Sequence, residues 1–103
     1  MSTNRTVQLG AAMALVELLK EHPELAAAGW SLDAVTGSLN GFVHEESVTA
    51  LEAYAEVLGA EVTPGLSYVF DGRTVSPYRL STVWRDVPVS MAVTVPVVEA
   101  VTA

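Results

Sequence analysis

Apolar positions recur along the chain with two alternating periods, and each predicts its own kind of element. From residue 6 to residue 21 the spacing is helical, in a stretch rich in Ala, Leu, Met and Glu. Ser2, Thr3, Asn4 and Thr6 stand ahead of it as candidate caps. Pro23 disfavours helical geometry at His22, so the helix is expected to stop there, and Pro23-Glu24-Leu25 suits one further turn. The period then becomes two: Trp30, Leu32 and Ala34 alternate with Ser31 and Asp33, as in a half-buried strand. Thr36-Gly37-Ser38 predicts a turn and Leu39–Val43 the returning strand, where Gly41 implies a bulge or a close backbone approach.

Residues 45–58 return to the helical period, and Gly59 is placed to cap that helix. Val48, Leu51, Ala55 and Leu58, with Tyr54 beside them, form one apolar stripe. Glu45, Glu52 and Glu56 form an acidic stripe facing away from it, and Glu45 and Glu46 are expected in the first turn, where the helix dipole favours them. The rest is strand. Asp71-Gly72 joins Leu66–Phe70 to Arg73–Ser76 as a hairpin, and Pro77 marks a bulge or an edge. Tyr78–Trp84 and Val87–Val97 follow as long strands meeting near Arg85-Asp86. In the last strand Val87, Val89, Met91, Val93, Val95 and Val97 share one face; Pro88 and Pro96 imply that at least one of its edges lacks a ladder partner. The expected fold is a single α+β domain over residues 1–103, ordered α-β-β-α-β-β-β. Two helices pack on one face of a mainly antiparallel sheet, with Leu15, Leu51 and Val93 in the core.

Composition narrows the picture. A chain of 103 residues, half of them hydrophobic, is long enough for one core and too apolar to remain disordered. The absence of cysteine excludes thiol catalysis, disulfides and thiolate metal sites. No window reaches the ~18 apolar residues of a membrane span. Arg5 and the apolar run Leu9–Val16 resemble a secretory leader, but Glu17, Lys20 and Glu21 interrupt it, so an amphipathic helix, a cytoplasmic location and no membrane partner are expected.

One resemblance spans about residues 9 to 95. The run Leu18-Leu19-Lys20-Glu21-His22-Pro23-Glu24-Leu25, the following Trp30, the Gly37–Gly41 turn and strand, and Ala53-Tyr54-Ala55-Glu56-Val57-Leu58-Gly59-Ala60 are similar to a group of small hypothetical proteins of actinobacteria and their phages. The resemblance implies the same fold and source. That group has no assigned activity, so it implies no functional residue.

Chemistry is sparse. His44-Glu45-Glu46 places a histidine beside two carboxylates, but no metal-ligating or catalytic partner follows at the i,i+3 or i,i+4 spacing that would share a helix face. There is no HExxH, no phosphate loop and no G-x-S-x-G elbow. No enzymatic activity, cofactor or metal is expected. A small-molecule site or weak enzyme around His44 and the aromatic strands would require a concave pocket there. Arg73, Arg79 and Arg85 are interleaved with Tyr68, Phe70, Tyr78 and Trp84, but a net charge of −7 makes nucleic acid an unfavourable partner. Residues 1–60 carry eight acidic and two basic side chains, which also suits an acidic phage-type inhibitor or nucleic-acid mimic occupying a basic host or phage protein.

The first helix carries the leading expectation. On a helical wheel Val7, Leu18, Ala11, Leu15, Leu19, Ala12, Val16 and Leu9 cover about 200°, twice the ~100° needed to dock on one sheet, and Met13 widens the arc. Surplus apolar width calls for a second surface, so a homodimeric, non-enzymatic protein-interaction module is expected. Its candidate surface is Leu9, Ala12, Val16 and Leu19, with Glu45, Glu52 and Glu56 as the acidic alternative.

Overall fold

A computed structural model describes residues 3–97, with side chains described from residue 8 onward. Along them run α1 (Thr3–Glu21), β1 (Ala28–Leu32), β2 (Leu39–Val43), α2 (Val48–Leu58), β3 (Thr63–Pro64), β4 (Tyr68–Phe70), β5 (Arg73–Trp84) and β6 (Val87–Pro96). The strands form one sheet in the order β1-β2-β6-β5-β3, with β4 also paired to β5. Only the β2–β6 pairing is parallel. Both helices pack on the same face of this sheet, so the chain has the expected α+β architecture.

Helix α1 ends as its sequence dictates: the His22 N–H still reaches Leu18 O at 3.0 Å, and Pro23 stops the helix. The further turn amounts to one bond, from Leu25 N–H to His22 O at 3.2 Å. Helix α1 begins at Thr3 rather than at residue 6, so Asn4 and Thr6 lie within it and are not caps; Ser2, the side chains of residues 3–7 and the chain beyond Val97 lie outside the described residues.

Three local expectations change. Ala34 is not in the first strand, because the Asp33 carboxylate accepts the N–H groups of Val35 and Thr36 at 2.8 and 2.9 Å and turns the chain. Helix α2 starts at Val48, not at residue 45: Ser47 is extended (φ −147°, ψ 125°) and its hydroxyl accepts the Ala50 N–H at 3.4 Å. Glu45 and Glu46 therefore precede the helix and do not occupy its first turn. The segments 73–76 and 78–84 are one strand, and β3 joins the expected order.

The prolines fit this sheet for a common reason. Residues Leu39–Phe42 of β2 pair only with Val89–Ala92 of β6, so Pro88 and Pro96 lie beyond either end of that ladder. The N–H groups they lack would face β2, where no strand reaches them. Strand β6 is therefore central along part of its length and one-sided at both ends. Pro77 sits within β5 at the analogous outer position, its carbonyl accepting the Gly65 N–H at 2.8 Å.

Leu18, Leu39, Val43, Leu51, Tyr54, Val89, Met91 and Val93 are the largest fully buried side chains. Leu15 only packs against this cluster; Leu18 is the anchor of α1. Tyr54 donates its hydroxyl to Ala26 O and meets Trp30 edge-on, ring centroids 6.0 Å apart. The Trp30 ring lies directly over Gly41, where a Cβ would stand 2.6 Å from its Cζ3.

Candidate functional site

The α1 helix carries two apolar faces. Ala11, Ala14 and Leu18 are buried against the sheet. On the opposite side of the helix, about 170° around, Leu9, Met13, Val16 and Leu19 remain 57, 56, 54 and 49% exposed. Leu9, Ala12, Val16 and Leu19 are spaced by three, four and three residues, the spacing of a coiled-coil seam. The arc inferred from the wheel thus divides: part is covered by the chain's own sheet, while Leu9, Val16 and Leu19 are exposed on the other part with Ala12 half-buried beside them. Met13 joins them, flanking a shallow groove of ≈ 320 Å³ with Leu9, Ala12, Val16 and Glu17. At the other end Leu19 opens into a hollow, also ≈ 320 Å³, lined by Leu25, Ala26, Trp30 and Tyr54.

The ridge is held in place from the polar flank of α1. Arg85 Nη1 donates to Glu17 Oε1 at 2.8 Å and Glu21 Oε2 at 3.0 Å, and Nη2 donates to Glu21 Oε1 at 2.8 Å. Its guanidinium also stacks on Trp84, 4.2 Å from the ring centroid. The Arg85 hydrogen bond is the main reason that the Glu21 carboxyl titrates below the usual carboxylate range. The two glutamates raise Arg85 above its already high ordinary value. Arg85 and Asp86 adopt φ of 52° and 66°, so the hairpin turn between β5 and β6 is of the twisted primed kind without a glycine.

The acidic candidates are distributed differently. Glu52 and Glu56 are exposed on the outer side of α2, one turn apart, and Glu45 lies ahead of the helix. Glu45 and Glu56 do meet, with Glu24, around a shallow groove beside Leu25 and Ala50.

His44 is exposed just after β2, its imidazole over Gly29 on the helix-free face of the sheet. It borders a cleft of ≈ 420 Å³. One bank is the β2–α2 connection, with Phe42, His44 and Glu46; the other is the β4–β5 hairpin, with Tyr68, Phe70, Asp71 and Arg73. Val43, Val75 and Thr94 complete the lining. Phe42, Tyr68 and Phe70 are 51, 47 and 66% exposed, unlike Tyr78 and Trp84, which pack on the core from the other face. Phe42 was not among the sequence candidates. Its signal lay in the alternation of β2, where Leu39, Gly41 and Val43 point inward and Phe42 must point out.

Among the described residues no cluster of three or more His, Asp or Glu side chains is arranged to hold a metal ion, and no helix is long and apolar enough to cross a membrane. Compared with protein-family models, with curated proteins and with solved structures, the chain finds no match in any of the three.

Proposed function

We propose that this protein is a non-enzymatic interaction module that works as a homodimer, with α1 of one copy packed against α1 of the other. The observation that carries this is the row of half-exposed apolar side chains at Leu9, Met13, Val16 and Leu19 on a helix already docked by its opposite face. Together they form a contiguous apolar ridge on the uncovered side of the helix, the kind of patch that marks an interaction surface. Shape favours a second copy as the occupant. Leu9 protrudes at one end, and Leu19 borders a hollow at the other, about 15 Å along the axis. An antiparallel two-fold sets each protrusion against its partner's hollow, as an isologous interface requires. The ridge is smaller than the ~800 Å² per partner of a standard interface, so the association is concentration-dependent.

Light scattering or sedimentation across a concentration series tests this directly. The mass is expected to rise above 10.9 kDa with concentration. Val16→Glu is expected to hold it at the single-chain value with the far-UV spectrum unchanged, while Glu52→Gln combined with Glu56→Gln leaves association intact. A single-chain mass at every concentration refutes the homodimer.

A further inference from the structure

We propose that the cleft between the β2–α2 connection and the β4–β5 hairpin binds a small zwitterion with an aromatic ring, of the aromatic amino-acid class. Its size suits such a molecule: ≈ 420 Å³ falls among ordinary ligand pockets, which begin at ~300 Å³. Three aromatic side chains line it with about half or more of their surface uncovered, on a floor formed by buried Val75. A flat apolar group seated among them removes that surface from water and gains ring–ring contact.

The polar groups then select the ends of the ligand. The side chain of Arg73 makes no ion pair or hydrogen bond among the described residues, and neither do those of Glu46 and Asp71. Arg73, directly across from Phe70 in the hairpin register, offers a fork of donors to one carboxylate. Glu46 stands on the opposite bank and receives an ammonium. Asp71 shares the Arg73 bank, so the lining carries two carboxylates against one guanidinium. That balance disfavours phosphate dianions and nucleic acid, and accepts a molecule whose own charges cancel. The site lies on the sheet face opposite the helices and is independent of the α1 ridge.

Titration of the full chain with L-phenylalanine and L-tryptophan, followed by amide and side-chain NMR shifts, tests the assignment. Saturable shifts confined to the lining of the cleft, among them Phe42, His44, Glu46, Tyr68, Phe70 and Arg73, are expected. Phenylacetate, which lacks the ammonium, and phenethylamine, which lacks the carboxylate, are expected to bind at least about tenfold more weakly, as loss of one charged hydrogen bond implies. Arg73→Gln is expected to weaken the amino acids to a similar degree and leave phenethylamine unchanged. Val16→Glu is expected to leave binding unaltered, which separates this site from dimerisation. Absence of saturable shifts at millimolar ligand, or equal binding of all four compounds, overturns the proposal.

Discussion

Gly41 shows how one position can be read correctly for its kind and not for its cause. A glycine inside an apolar strand implied a close approach, and the approaching group is the Trp30 ring, face-on to the backbone. No local pattern could name Trp30, because the pair depends on the β1–β2 register that sets it opposite Gly41. A methyl group there must displace both the ring and its edge contact with Tyr54. Gly41→Ala is therefore expected to lose about 1–3 kcal/mol of stability, read as a lower urea midpoint. The two hairpin turns differ in the same sense. Asp71-Gly72 announced its turn type, with φ of 54° and 76°, whereas Arg85-Asp86 adopts the same geometry without the glycine that would have revealed it. What compensates is mostly distant in sequence: the Arg85 side chain is engaged by Glu17 and Glu21 as well as by the neighbouring Trp84.

At the scale of elements, periodicity located α1 and its end but could not divide its apolar arc. A helical wheel reports how much surface is apolar; only the position of the sheet decides which part it covers. Leu15, a natural choice for the core, packs at its margin, while Leu18 is fully enclosed. The division has a measurable consequence. Leu18→Ala is expected to cost about 2–5 kcal/mol, whereas Met13→Ala, which empties no interior space, is expected to shift the stability of the dilute single chain by less than about 0.5 kcal/mol. Urea unfolding at low concentration checks both. Helix α2 was legible in its apolar stripe and its cap at Gly59. Its start was not, because Glu45 and Glu46 suit a first turn as well as Ser47 suits the capping position that it holds. The cleft was least legible, since its two banks are separated by more than twenty residues and meet only through β6 and β5.

Over the whole molecule, pH acts through two carboxylates, one at the end of α1 and one in the turn after β1. Glu21 titrates low chiefly through its hydrogen bond from Arg85, and Asp33 through backbone N–H groups of Thr36 and Val35. Both release their protons more readily folded than unfolded. Their contribution is therefore complete above the ordinary carboxylate range and is lost as pH falls through it toward the lower folded values. Urea midpoints are expected to be level above about pH 5 and to decline toward about pH 3. Added salt should shrink the share due to Glu21, which Glu21→Gln removes. Tyr54 sets the opposite limit: burial raises its hydroxyl pKa, so stability is expected to fall as the solution becomes alkaline enough to ionise it. The two prolines of β6 bear on how this sheet assembles. Strand β2 must find β6 across some fifty intervening residues, the costliest closure in the topology and the one most open to a wrong alignment. With Pro88 and Pro96 acting as buffers at either end of a four-residue track, a β2 strand that slides past the native alignment forfeits a bond, and this seam of the sheet closes in one place.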